Sequence, residues 1–430
     1  MNNLRITRGV SIPFFIGLIC CVFACGGQKT SQSIDEDCDN DSSKCSKDSA
    51  GVKTDYPQRP ESSIFIMDIS VSMKGYFGNG DSRLLGVVNS YLSISTSEPA
   101  IHWYGKSEIK GIARNDFKHI TQGSIDWSDE SDIQSMLQSM VDHSDDYDVC
   151  FLLTDGILSG SNEQIRNSYE RKYNIEKREW MSGEIKNIFA GNDSLSAIVI
   201  RYTAAFTGTY NCYNNESRWL QNKERPYYII AVGKWKYVKY IEDQLKSEGE
   251  DVLDRSYDFY AMFGDEQTYN NVRFSYNSGI RGIHDGYMII RNDVKKEGDV
   301  VLSADITDLP DHMHNVEYWN QNLKLSVLQD NHSEKELTPD SYDVYVDTVS
   351  VRQIVCKLSI EARKMVRRTL VLKVEYESPS WISEYSDDDD LGILSDPKDI
   401  HRTFNLKYLA DGFKGLQNEK YVIYQTIKFK

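Results

Sequence analysis

From Ser63 to about Glu250, short apolar runs alternate with stretches of helical texture. The runs are SIFIMD (63–68), SEPAIHWYG (97–105), YDVCFLLTD (147–155), SAIVIRYTAAF (196–206) and PYYIIAVG (226–233). Several are almost continuously apolar, as expected of parallel strands covered on both faces. Between them, DSRLLGVVNSYLS (81–93), ESDIQSMLQSMVDHS (130–144) and KYVKYIEDQLKSEG (236–249) carry apolar residues at helical spacing. Ile133, Met136, Leu137 and Met140, for example, fall on one face. A charged helical insertion over about 162–190 follows the third run. This alternation predicts an open α/β sheet, doubly wound and mostly parallel.

Beyond about Arg255 the texture changes. Period-2 runs dominate: GDVVLSADI (298–306), NLKLSVLQD (322–330), SYDVYVDTVSV (341–351), RQIVCKLSIEA (352–362), RRTLVLKVEYE (367–377) and KYVIYQTIKFK (420–430). Turn residues separate them, so residues 295–430 are expected to form an antiparallel β-sandwich, with 251–294 as a connecting segment.

The two ends of the first half carry different signals. Arg5 and Arg8 precede an apolar run from Val10 to Ala24, the layout of a signal peptide over 1–24 and too short for a membrane span. Val22-Phe23-Ala24-Cys25-Gly26 resembles a bacterial lipoprotein lipobox. That resemblance implies lipidation of Cys25, and Gly26 rather than Asp after it implies the outer membrane. An ordinary cleaved signal with an incidental cysteine is the alternative. Residues 25–62 are polar and acidic, too poor in apolar surface to fold alone, and read as a disordered tether. Within it, Cys38 and Cys45 either pair, in an oxidising compartment, or remain free. Cys150 lies in an apolar run and belongs to a core. The net charge of −16 argues against a nucleic-acid surface.

Candidate chemistry concentrates where two apolar runs end. In MDISVSMKG, Asp68, Ser70 and Ser72 project to one side of an extended turn and can converge three oxygens on one point. A hard cation such as Mg²⁺ seeks oxygen ligands and tolerates waters among them. The second run ends Thr154-Asp155-Gly156, where Gly156 lets the chain turn away. If the two strands are neighbours, Asp155 faces the same crevice at the carboxyl ends of the sheet.

MDISVSMKG resembles the Asp-x-Ser-x-Ser-Met-x-Gly signature of von Willebrand factor A domains, and LLTDG resembles their later Asp-Gly strand end. Over about 63–250 the resemblance implies a metal-ion-dependent adhesion site. Asp68, Ser70 and Ser72 match residue by residue, and Asp155 takes the second acidic position. The family adds a threonine hydroxyl from a loop before a helix. Here Ser131 or Ser128 stands there, and Ser131 is chosen because it leads directly into the helix. The tyrosine- and asparagine-rich stretch 207–225 departs from the family, where a helix is expected.

The implied function is Mg²⁺-dependent binding (Mn²⁺ or Ca²⁺ being substitutes) of a protein partner that offers an acidic side chain. The membrane would be reached through the lipid anchor only. An envelope scaffold without a functional metal is the alternative. A metal-dependent phosphohydrolase with Asp68 as nucleophile is less favoured, because Ser70 stands where a second acid is wanted. His312 and His314 lack the further ligands of a zinc site, and the acidic run 384–396 lacks the spacing of an EF-hand.

Overall fold

Strand β1 (Ser63–Asp68) lies in the middle of a mixed seven-stranded sheet, and all six of its residues are buried. A central strand covered on both faces has no polar side to present, which explains the unbroken SIFIM run. In the computed structural model, residues 56–78, 82–129, 131–157, 171–192, 194–212, 216–247, 258–264, 275–278, 280–284, 287–290, 298–306, 309–328, 333–336, 343–349, 353–360, 368–393, 399–417 and 421–429 are described. The expected signal peptide, Cys25, Cys38, Cys45 and most of the stretch expected to be a tether lie outside the described residues.

After β1 come the short helix α1 (Val71–Lys74), α2 (Ser82–Tyr91) and β2 (Ala100–Tyr104). Then follow β3 (Glu108–Ile109), α3 (Arg114–Lys118), α4 (Ile133–His143) and β4 (Val149–Thr154). Next in order are α5 (Arg171–Phe189), β5 (Leu195–Asn211), β6 (Ser217–Lys234), α6 (Trp235–Lys246) and β7 (Asp258–Met262). The strand order is β3-β2-β1-β4-β6-β5-β7. β1 is parallel to both β2 and β4, with Ile66 opposite His102 on one side and Leu152 on the other. Parallel neighbours need a crossover, and α2 supplies it between β1 and β2. On α4, Ile133, Met136, Leu137 and Met140 are buried together, and Asp132 caps the helix by accepting from Ser135 N at 3.1 Å.

The far side of the sheet differs from the expected pattern. β5 runs in the same direction as β1, β2 and β4, but β6 lies antiparallel between β4 and β5, and β7 pairs antiparallel with β5. β5 and β6 pair as one long hairpin that takes in 207–211 and 217–225 of the stretch where the family resemblance implied a helix. The hairpin's inner part is buried on both faces. From Thr203 outward β5 alternates buried and half-buried positions, the texture of a ribbon with one wet side. This outer part leans on the turn after β1. The Phe206 ring meets Tyr76 edge-on at 5.1 Å, and a Cβ on Gly208 would lie 2.9 Å from Gly75 Cα. Two glycines allow the backbones to pass that closely.

Most of the remaining strands form two further sheets. β8 (Ser275–Ser278), β11 (Gly298–Asp305), β14 (Asp343–Val349) and β15 (Gln353–Ile360) make a four-stranded antiparallel sheet in the order β14-β15-β11-β8. A six-stranded sheet runs β13-β12-β16-β19-β10-β9. It uses β9 (Ile280–His284), β10 (Tyr287–Ile290), β12 (Leu323–Leu328), β13 (Glu334–Glu336), β16 (Thr369–Glu375) and β19 (Tyr421–Phe429). Its only parallel pairing among the described strands is β10 with β19. The segment expected to connect the halves therefore contributes to the three larger sheets, through β7, β8, β9 and β10.

Between β16 and β19 the chain returns to the first sheet. There it forms α7 (Ser380–Glu384), the short parallel pair β17 (Ser386–Asp387) and β18 (Thr403–Phe404), and α8 (Leu406–Gly412). Phe413 packs on Phe189 of α5 with ring centroids 5.1 Å apart, and Trp381 Nε1 donates to the Phe259 carbonyl at 3.1 Å. Asp55–Lys430 is consequently one compact unit. Among the described residues no helix is long and apolar enough to cross a membrane.

Candidate metal centre

The chain leaves β1 towards β2 on one side and later returns as β4 on the other. Strand order thus reverses between β1 and β4, the position where open α/β sheets bind ligands at the carboxyl ends of their strands. Asp68 ends β1 and Thr154 ends β4, side by side. Beyond them the chain turns in both strands. Ser70 N donates to Asp68 Oδ1 at 2.8 Å, which fixes the turn, and the Ser70 and Ser72 hydroxyls lie 2.9 Å apart. After β4, Gly156 adopts φ +72°, and a Cβ there would lie 2.5 Å from the Tyr228 ring. Only glycine takes that conformation in that space.

A third segment closes the group. Ser128 bridges to Ser70 in parallel: Ser128 N donates to the Ile69 carbonyl and Val71 N to the Ser128 carbonyl, both at 2.8 Å. This holds the loop before α4 against the turn and carries Ser131 inward, where its hydroxyl donates to Asp68 Oδ2 at 3.2 Å. Thr154 Oγ1 donates to the same oxygen at 3.0 Å. Ser72 hydrogen-bonds Asp155, whose Oδ1 also accepts from Ile157 N at 3.2 Å. All five residues singled out in the sequence, Asp68, Ser70, Ser72, Ser131 and Asp155, therefore meet in one place. Ser128 takes part through its backbone.

Both carboxylates are buried, Asp68 to 0% and Asp155 to 2% exposure, while Ser72 and Ser131 reach the surface. Burial, and then the charge of Asp155, push the Asp68 carboxyl up to about 7, against hydrogen bonds from Ser70 and Thr154 that pull it down. Burial raises Asp155 too, opposed by Ser72, Ile157 N and the charge of Arg225. Two buried carboxylates that share a site resist ionising together, so a cation or a proton is wanted there. Two carboxylates and a set of neutral hydroxyls form an all-oxygen donor group that fits Mg²⁺ and ions of its kind.

Arg225 on β6 is the feature that sequence reading missed. It is 1% exposed, lies over the Tyr210 ring at 4.4 Å, and donates to the Ile400 carbonyl at 3.3 Å. Burial works against its charge, but Tyr210, Tyr76 and Asp155 more than restore it. It acts on Asp155 through space rather than in a direct ion pair. Around it, Tyr76 donates to the Pro226 carbonyl, and Tyr210 donates to Asp390 Oδ2 at 2.6 Å. Asp390 belongs to the acidic run of the sequence, and it is buried as part of the returning segment's seat on the hairpin. The one cue to Arg225 is a charged residue abutting the apolar run that starts at Pro226. Thr154 was legible as the strand-end hydroxyl beside Asp155, but its partner was not.

The other flagged residues have structural places. His312 Nε2 lies 3.1 Å from the Glu377 carbonyl among the Tyr260, Tyr318 and Tyr376 rings, and His314 Nε2 lies 2.7 Å from the Ile306 carbonyl. Cys150 is buried in β4. Comparison with protein-family models, with curated proteins and with solved structures finds no significant match to this chain.

Proposed function

We propose that this chain is a lipid-anchored outer-membrane protein that binds an acidic protein partner through a divalent cation held at the end of β1 and β4. The observation that carries this reading is convergence. Three separate segments (68–72, 131 and 154–155) bring two buried carboxylates and their hydroxyl neighbours together at the crevice of the sheet. On this reading the first sheet is von Willebrand factor A-like, and the later sheets form the sandwich-like spacer inferred from the sequence. Cys25 carries the lipid, and residues 25–62 hold the folded unit away from the membrane.

The cation, Mg²⁺ by preference or Mn²⁺ or Ca²⁺, would supply Lewis-acid attraction for an incoming carboxylate. Asp68, Ser70 and Ser72 would hold it, with Ser131 and Thr154 orienting Asp68, and Asp155 acting directly or through water. Arg225 matters for selectivity. With it beside Asp155, the two carboxylates leave one net negative charge, so a divalent ion turns the site positive and ready for an acidic side chain.

The test is calorimetric titration of the purified protein with Mg²⁺ and Mn²⁺, beside Asp68→Ala and Ser70→Ala. Saturable binding lost in both variants is expected; variants that bind as the parent does would sink the assignment. A metal-free scaffold is the second reading, and Arg225 favours it because it partly neutralises the pair without any ion. The two differ in a chelator wash of partner complexes, which a scaffold survives.

A further inference from the structure

A second group of ligand-type side chains lies at the other end of α4. In the β2–β3 hairpin, Tyr104 is opposite Glu108. Tyr104 hydrogen-bonds Ser135 of α4, so this face of the hairpin is the one that α4 covers. His102, two residues before Tyr104, projects to the same face. His143 is the last residue of α4. Three elements thus bring two imidazoles and a carboxylate to one point.

The geometry is tight. His102 Nδ1 lies 2.5 Å and His143 Nε2 2.9 Å from the same oxygen, Glu108 Oε1, and the rings meet edge-on at 5.4 Å. One donor atom from each residue lies within 4.8 Å of the other two. The side chains are 8%, 16% and 14% exposed for His102, Glu108 and His143, so the group lies just under the surface. There a water can complete a coordination shell.

We propose that His102, Glu108 and His143 form a zinc-class cation site that ties the edge strands β2 and β3 to the end of α4. Two imidazole nitrogens and one carboxylate oxygen, with a fourth position open to water, are a recognised zinc donor set. At zinc bond lengths, ligand atoms of a tetrahedron stand about 3.3 Å apart, so Oε1 would move outward by less than about 1 Å. Each imidazole would coordinate through the nitrogen that now faces Glu108, carrying its proton on the other nitrogen. The carbonyl end of α4 adds a partial negative charge where the cation would lie. This site is separate from the one at Asp68 in place and in chemistry. Ser131 stands before the first turn of α4 and His143 in its last, about 16 Å of helix apart, and imidazole selects zinc-like ions where hydroxyl and carboxylate select magnesium-like ones.

Co²⁺ is the probe, because its visible absorption reports tetrahedral ligation directly. Metal-stripped protein titrated with Co²⁺ is expected to develop that band at one equivalent, to lose it to Zn²⁺, and to keep it in excess Mg²⁺. His143→Ala and Glu108→Gln, each checked for folding by circular dichroism and thermal melting, are expected to bind at least tenfold more weakly. His143 closes the last turn of α4, which makes it the gentler change, and Gln keeps the shape of Glu. Absence of the band in the parent protein, or a band unchanged in both folded variants, overturns the proposal.

Discussion

Neutralising Asp68 should stabilise the fold and abolish cation binding in one step. The Asp68 carboxyl has an ordinary value of 3.8 and stands at about 7 in the fold. The folded protein therefore keeps a proton that the unfolded chain releases, and wild-type stability falls as pH rises from about 4 to about 7. Above that window the full penalty is present, at most about 4 kcal/mol for a shift of this size. Asp68→Asn removes it. Oδ1 of the new side chain still accepts from Ser70 N, and the Thr154 and Ser131 hydroxyls can rotate to accept from the amide. Those two contacts lose their charge assistance, about 1 kcal/mol each, so the net gain at pH 8 is about 2 kcal/mol. Asp155 also ionises more easily beside a neutral neighbour. In metal-free buffer the variant should melt roughly 2–3 °C higher at pH 8, and the difference should close as pH approaches 4. Mg²⁺ at a hundred times its dissociation constant should add about 2.7 kcal/mol to the wild type and nothing to the variant. A variant less stable than wild type at pH 8, or a difference that does not change with pH, would refute the reasoning.

Ser131→Ala removes one hydroxyl from Asp68 and leaves the fold intact; Mg²⁺ affinity should fall about tenfold with a melting change of no more than about 1 °C, both read from one calorimetric series. Arg225→Met leaves the Ile400 carbonyl without that donor and Asp155 without its compensating charge, and should destabilise by about 3–5 kcal/mol in urea unfolding. A loss below about 1 kcal/mol would show that Arg225 does not organise the site. Gly156→Ala forces a side chain into left-handed backbone against Tyr228 and should destabilise by about 2–3 kcal/mol, with Mg²⁺ binding weakened because Asp155 moves.

The core of the first sheet was legible in the sequence because burial leaves a direct mark on composition. SIFIM and VCFLL are apolar without a break, and the structure buries them on both faces. The Asp-x-Ser-x-Ser turn was legible for a related reason. Alternate residues of an extended chain share a side, so three oxygens could be placed together before any neighbour was known. Pairing was not legible. A strand buried on both faces reads alike whether its neighbour runs parallel or antiparallel, and β5 and β6 were resolved as a hairpin only by the tertiary structure. Contacts between distant segments were hidden as well, because a sequence carries no distances. Thr154 on Asp68, Arg225 near Asp155, and Tyr210 on Asp390 each join parts of the chain that share no periodicity. His102, Glu108 and His143 had no spacing signal at all, since a strand, its hairpin partner and a helix end meet only once the sheet is covered. Local pattern determined which residues would be buried and which turn would carry oxygens; packing decided which charges would face one another.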